Sequence, residues 1–575
     1  MMKKRILIGL AGAWLQIFLF TGCNSGVSLN DDSISTDADT IAAGEILFNQ
    51  SCSDCHNFRQ DGIGPQLSGL TGTVSAEWIH GFIKHPQQLI SSGDERALQL
   101  LSKYKVVMPS FTSLTDKDVN AIIAFLHTHK VSPQVAKGNQ KQILNPIPDS
   151  IKLSGLVVNL ELVAQIPASS DSGKTPLARI TKLGLQPGSN DLFILDLRGR
   201  LYKLNGNKST VYMDMAALKP VFINRPGLGT GFGSFAFHPG FAKNGILYTS
   251  HTEATGSGKP DFYYEDSIKV AMQWVVSEWK TEDPGAKEFS GKSRELFRVN
   301  MVTGAHGVQE ITFNPRSKMG DQDYGLLYIG IGDGASVEKG YPFLVHSTKK
   351  IWGTIIRIDP MGSNSRNGRY GIPASNPFAN DPNALGEIYA YGFRNPHRIT
   401  WTNSGKMLSC NIGHGNIESI NLVFPGHDYG WPVREGHFVV DTYGDLNKVY
   451  PLPANDSSYN ISYPVAAYDH DEGKAISGGF EYLGEAIPLL KGKYLFGDIP
   501  TGRLFYIELA DLKEGKLATV KEWQISIKDT PHTFKDLHQR QRVDLHFGRD
   551  TQGELYILTK CDGKVYRFGK ATMKN

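Results

Sequence analysis

Cysteine is scarce in this 575-residue chain, with only five residues, and neither sign of charge dominates. Sixty Lys and Arg stand against 57 Asp and Glu, a net charge of +3. That balance gives no pointer to nucleic acid or to a large acidic partner. So few cysteines exclude a disulfide-stapled scaffold, and the length excludes a single ordinary domain. Long apolar runs are also nearly absent. The one of note, Ile6 to Phe20, is short for a transmembrane span. Glycine is plentiful, at 61 residues, and aromatics make up 10%, which suits a turn-rich β protein.

The apolar run follows Lys3, Lys4 and Arg5 and ends in Thr21-Gly22-Cys23. A basic start and an apolar core of this length read as a signal peptide. Its ending resembles a bacterial lipobox, with Phe20 where Leu is usual. Residues 1–23 are thus expected to be a lipoprotein signal peptide, with Cys23 the acylated first residue of the mature chain. An uncleaved anchor is the alternative. Both place the protein outside the cytoplasm of a bacterium, facing the periplasm and held to a membrane. Residues 24–39, rich in Ser, Asp, Asn and Thr, read as a flexible tether.

Cys52-Ser53-Asp54-Cys55-His56 has the spacing of a c-type haem attachment site. Each thiol can form a thioether with a haem vinyl group, and His56 then lies where it can bind the iron. A zinc half-site is the competing reading, but no second cysteine pair of metal-binding spacing exists. An amphipathic segment, Ile41 to Asn49, leads into the motif. Val107-Met108-Pro109 lies where a thioether could close the other haem face. Thr115 and Asp118 read as a helix N-cap with an acidic partner, followed by Val119, Ile122, Ile123 and Leu126 at helical spacing. Together, residues 40–131 resemble a class I cytochrome c, which implies haem c on Cys52 and Cys55 with His56 and Met108 as iron ligands.

Residues 132–153, with Pro133, Pro146 and Pro148, read as a linker. From 154 to 575 the chain is a degenerate repeat of short strands around Gly-x-Leu-Tyr-like segments. The units begin near Leu192, Phe235, Ile311, Ile399, Gly492 and Leu545. Six such units predict an all-β, six-bladed β-propeller, with 255–294 and 361–385 as loops over one face. Asp469-His470-Asp471-Glu472 reads as a solvated loop. Cys410 and Cys561 could pair or remain buried thiols.

Five segments, Gly233–Phe241, Tyr328–Gly334, Gly392–Pro396, Glu418–Leu422 and Tyr429–Pro432, resemble the glucose/sorbosone dehydrogenase family. The resemblance spans residues 155–570. It implies a propeller that binds pyrroloquinoline quinone (PQQ) and calcium and takes hydride from a sugar. It also implies site residues: His306 as general base, Asp333 to orient it, and Arg394 over the reacting quinone carbonyl. Asn395, Arg542 and Arg540 would hold the cofactor, and backbone carbonyls at Gly413 and His414 would hold calcium. The chain departs from the family pattern in four places. His397 replaces a Gln, Pro500 stands near the place of a fifth-blade Lys, Val543 interrupts the C-terminal arginines, and Gly229 replaces a polar residue.

The expected protein is therefore a cytochrome c followed by a dehydrogenase propeller. It would oxidise an aldose or related polyol at PQQ and pass electrons to its own haem and then to a respiratory acceptor. Two other readings remain: a carbohydrate-binding or sensing propeller with a degenerate pocket, and a calcium-dependent lactonase or hydrolase.

Overall fold

A computed structural model describes residues 34–574, apart from 54, 57, 59–63, 105, 131–140, 172–173, 226 and 228. Cys23 and the signal-peptide reading lie outside the described residues. The protein is multidomain, a small all-α unit followed by an all-β propeller.

The α unit has two long helices, Ala38–Ser51 and Asp116–Thr128, packed on each other with three shorter ones between them in sequence. Asp37 caps the first through the Thr40 N–H. Thr115 and Asp118 form a full capping box on the last, a feature worth about 1 kcal/mol. Their facing apolar stripes, Phe48 against Val119, Ile122 and Leu126, build the core with Ile79 and Ile83. Gly44 sits at the crossing, where a Cβ would lie 1.9 Å from the Ala121 carbonyl oxygen. No helix among the described residues is long and apolar enough to cross a membrane.

Six blades follow. Their inner strands are Ile180–Leu185, Phe232–Phe237, Glu310–Phe313, Pro396–Trp401, Ile476–Glu481 and Leu545–Arg549, and each packs on the next to close a ring. The strand Lys152–Gln165 closes the circle. It pairs antiparallel with Lys564–Met573 to complete the sixth blade, and parallel with Lys521–Ile527 of the fifth. An extra three-stranded sheet, Arg434–Glu435, Phe438–Val440 and Val449–Tyr450, follows the third strand of blade 4.

The structure corrects two expectations. Residues 255–294 are not one loop: Met272–Thr281 is the third strand of blade 2, and Gly291–Met301 begins the fourth. Met272–Thr281 is buried on both faces, so it lacks the alternation that reveals a half-exposed strand. The segment from Asp469 is not simply solvated. Asp469 is buried, His470 Nε2 meets Glu418 at 3.0 Å, and Asp469 and Glu472 accept from the Ile147 and Ile151 N–H groups. It thus ties the stretch before the first strand to the junction of blades 4 and 5. The repeat units near Leu192 and Gly492 cover the second and third strands of their blades, whereas the other four begin at the inner strand. Cys410 and Cys561 are both buried free thiols.

Candidate active site

Three of the four candidate haem-binding side chains, Cys52, Cys55 and His56, come from one turn. The Cys55 and His56 N–H groups both donate to the Cys52 carbonyl, at 3.1 and 3.0 Å, curling the motif at the end of the first helix. His56 Nδ1–H donates to the Pro65 carbonyl at 2.8 Å. That fixes the tautomer and leaves Nε2 for a metal. Gly64 packs against the ring, and a Cβ there would lie 2.4 Å from His56 Cε1. Cys52, Cys55, His56 and Met108 line one cavity of about 870 Å³. Two half-buried thiols, an imidazole and a thioether on one cavity fit a c-type haem.

In the propeller, the candidate residues lie just ahead of inner strands: His306 in blade 3, Arg394 and Asn395 in blade 4, and Arg542 in blade 6. Inner strands run in one direction around a propeller, so such positions converge at one mouth of the channel. His306 is buried, with φ 49°, and its Nδ1 lies 2.7 Å from Asp333 Oδ1. Asp333 is fully buried and also accepts from the Ala335 N–H and from Trp431 Nε1–H, at 2.8 and 2.9 Å. Gly332 permits this packing, because a Cβ there would stand 2.2 Å from the His306 carbonyl oxygen.

Arg394 is buried beside Trp431, 5.8 Å from the ring centroid. Its Nε and Nη2 donate to Glu338 Oε1 at 3.0 and 2.6 Å, and its Nη1 donates to the Gly413 carbonyl. His414 Nδ1 lies 3.0 Å from the same Glu338 oxygen. Burial pushes the Glu338 carboxyl up, but Arg394 and His414 outweigh it and hold the group well below the ordinary carboxylate range. Sequence reasoning missed Glu338, although it stands five residues after Asp333 among small and apolar residues.

The Gly413–Ile417 loop is shaped by carboxylates. Glu435 Oε1 accepts from the N–H groups of His414, Gly415, Asn416 and Ile417, at 2.7–3.1 Å. Glu418 accepts from the Gly413 N–H, and burial pushes its carboxyl up to about 8. One of the two expected calcium donors, the Gly413 carbonyl, faces the Arg394 guanidinium, where a dication meets a cation at close range.

Asn395 Nδ2 reaches Gln309 Oε1 at 3.5 Å, and Gln309 Nε2 donates to the Gly229 carbonyl at 3.3 Å. A Cβ on Gly229 would lie 2.6 Å from that nitrogen. Gln309 thus brings a polar side chain to the place where Gly229 lacks one. Arg542 meets Asp544 at 2.9 Å and lines the haem-side cavity. Arg540 is exposed after the helix Phe534–His538 and is not brought to the mouth. Orphaned polar atoms surround the channel: both ring nitrogens of His397, both of His546, and Glu338 Oε2. Buried groups of this kind are what a polar ligand satisfies, so the channel fits a polar, carboxylate-bearing cofactor such as PQQ.

The family pattern described as glucose/sorbosone dehydrogenase matches residues 182–567, and the cytochrome c pattern matches residues 41–130. HIPL1 protein of Arabidopsis thaliana is 27% identical over 383 residues, 59% of this chain and 52% of that protein. Quinoprotein glucose dehydrogenase B of Acinetobacter calcoaceticus is 24% identical over 341 residues, 54% of this chain and 62% of that protein. The chain spans about half the length of the first of these relatives. A solved soluble aldose sugar dehydrogenase of Escherichia coli, in its apo form, matches with a TM-score of 0.50 at 18% identity. That match covers 73% of this chain and all of the other, a likeness of fold.

Proposed function

Because the chain belongs to the glucose/sorbosone dehydrogenase family and carries a cytochrome c domain, we propose that it oxidises a sugar, an aldose or related polyol, with PQQ, and passes the electrons through its own haem to a respiratory acceptor. One observation carries the reading. The cavity lined by Cys52, Cys55, His56 and Met108 is also lined by Arg542 from the propeller mouth. The Lys339 ammonium, next in sequence to Glu338, lies 5.9 Å from the Phe48 ring centroid on the first helix of the cytochrome domain. The haem-side cavity therefore reaches the propeller at Arg542, while His306, Asp333 and Arg394 do not line it.

PQQ, when bound, supplies a two-electron acceptor. The protein's own part is proton handling and orientation. Asp333 holds Nδ1 of His306, so Nε2 is the atom that can take the proton of the sugar hydroxyl. Asp333 also stabilises the imidazolium that results, and Trp431 fixes Asp333 in turn. Arg394 offers a fixed guanidinium for charge developing on the acceptor, once Glu338 shares it. Calcium has no step here, because its expected donor at Gly413 is engaged by Arg394. Attachment through Cys23 to a periplasm-facing membrane belongs to the proposal.

The engagement of Arg394 by Glu338 favours a second reading, a sugar-binding propeller without turnover. A hydrolase reading leaves the haem motif without a role. The test is haem reduction in a soluble fragment made with haem attached, given PQQ, calcium and a panel of aldoses and polyols. Ferrous absorbance that requires both sugar and PQQ supports the proposal. Reduction of an artificial acceptor alone removes the internal electron path. Tight sugar binding with no acceptor reduced favours the binding reading.

A further inference from the structure

The fifth-blade lysine expected from the family pattern is absent, with Pro500 near its place. A different lysine stands in blade 6, at the end where the inner strand Leu545–Arg549 begins. Lys560 follows the strand Leu555–Thr559, and its backbone is pinned on two sides. Its N–H donates to the Asp544 carbonyl at 3.2 Å, and its carbonyl accepts from the Ala178 N–H at 3.3 Å. It therefore sits between the entrances to the inner strands of blades 6 and 1. The side chain is deep in the protein yet keeps part of its surface open.

The surroundings of Lys560 are short of anions. It has no ion-pair partner among the described residues, whereas the nearby carboxylates are engaged. Asp544 is ion-paired with Arg542 but leaves Oδ1 without a hydrogen bond, and Glu310 is paired with Arg398 and Lys182. Burial pulls the Lys560 amine down to about 7; Asp544 opposes this, and Arg179, Arg542 and Arg398 add to it. His397 and His546 lie in the same cluster, ring centroids 5.7 Å apart, with all four ring nitrogens unpartnered. Burial, aided by Arg398 and Lys560, keeps both rings neutral. His397 is the residue that departs from the family's Gln. A buried amine and two imidazoles with unpartnered ring nitrogens, near Arg179, Arg398 and Arg542, form a site with a surplus of positive charge. The chemistry that completes it is a carboxylate, which accepts several hydrogen bonds and restores the charge balance.

We propose that Lys560, His397 and His546 form a carboxylate subsite in the channel, and that it takes one carboxylate of the quinone in place of the missing fifth-blade lysine. This rests on the PQQ reading above, and the experiment separates the two. Binding of PQQ to the haem-loaded protein is followed by titration calorimetry, with benzene-1,3,5-tricarboxylate as a second probe. The variants are Lys560→Met, Lys560→Arg and His397→Gln, each first checked for an unchanged haem spectrum and β-sheet circular dichroism. Lys560→Met should weaken PQQ and the tricarboxylate by at least about tenfold, and Lys560→Arg should recover most of the loss. Wild-type affinity should fall as pH rises through the neutral range, as the free amine loses its proton, and Lys560→Met should lack that fall. His397→Gln, which restores the family residue, should weaken binding less than Lys560→Met. Equal PQQ affinity and equal pH dependence in wild type and Lys560→Met overturn the subsite and leave the PQQ reading intact. Tricarboxylate binding that depends on Lys560, with no PQQ binding, keeps the carboxylate subsite and removes the quinone. Should Lys560→Met not fold, loss of the pH dependence in Lys560→Arg serves as the deciding result.

Discussion

Two histidines, one in each domain, are held by Nδ1, and the difference between their partners separates their roles. His56 gives its Nδ1 proton to a backbone carbonyl nine residues along the chain. His306 is paired with a buried carboxylate, 27 residues along and on the far side of a strand pair. A metal ligand needs only a fixed tautomer, and a neutral carbonyl suffices. A general base must become a cation in the transition state, and only a carboxylate pays for that charge. The haem-attachment turn is therefore built locally, and the propeller site is built from segments that meet only when the ring closes.

The largest effect expected is in the local pocket. Cys52→Ala with Cys55→Ala removes both thioether positions, so all haem should be extractable into acidified acetone from the variant and none from the wild type. Haem that stays with the variant polypeptide would falsify the attachment assignment.

The next effect tests the distant pair. His306→Asn should slow sugar-driven haem reduction by about 10²–10⁴-fold, with the dithionite-reduced spectrum unchanged. Asp333→Asn should give a smaller loss and a shifted pH profile, since the imidazole keeps its place but loses its counter-charge. Identical rates in His306→Asn and wild type would reduce His306 to a packing residue and erase the contrast with His56.

The smallest effect concerns the loop beside the site. Burial raises the Glu418 carboxyl from an ordinary 4.5 to about 8. The folded protein then holds a proton that the unfolded chain releases above about 4.5. Stability from this group is complete below that pH and is lost as pH rises to about 8. Thermal midpoints taken from about pH 5 to about pH 8 should fall more steeply in wild type than in Glu418→Gln. Parallel curves would mean that Glu418 is ionised in the folded protein.

Much of the cytochrome domain was legible because its signals are short-range. The haem motif, the capping box at Thr115 and the helical stripe from Val119 to Leu126 each lie within a few turns of chain. The blades were legible as repeats, but the position of each unit within its blade was not, because Gly-x-Leu-Tyr-like patterns mark more than one strand of a blade. Met272–Thr281 was lost among loops because burial on both faces hides its period. Asp333 lay inside a matched segment, Tyr328–Gly334, while His306 and Glu338 did not. A carboxylate in an ordinary Val-Glu-Lys stretch carries no sign that it will meet Arg394 and His414, 56 and 76 residues away. Arg540 and Arg542 look equivalent in Arg-Gln-Arg, but only Arg542 lines the cavity at the mouth.

The sequence by itself determined the two-domain plan, the haem attachment chemistry and the six-fold repeat, since each is written in residues close along the chain. Tertiary structure alone decided which buried charges meet. It placed Glu338 on Arg394, turned the Gly413 carbonyl onto a guanidinium, and left Lys560 among arginines beside two unpartnered histidines. Side chains that converge from different blades are neighbours only through the closure of the ring, and their electrostatics depend on burial that no local pattern records.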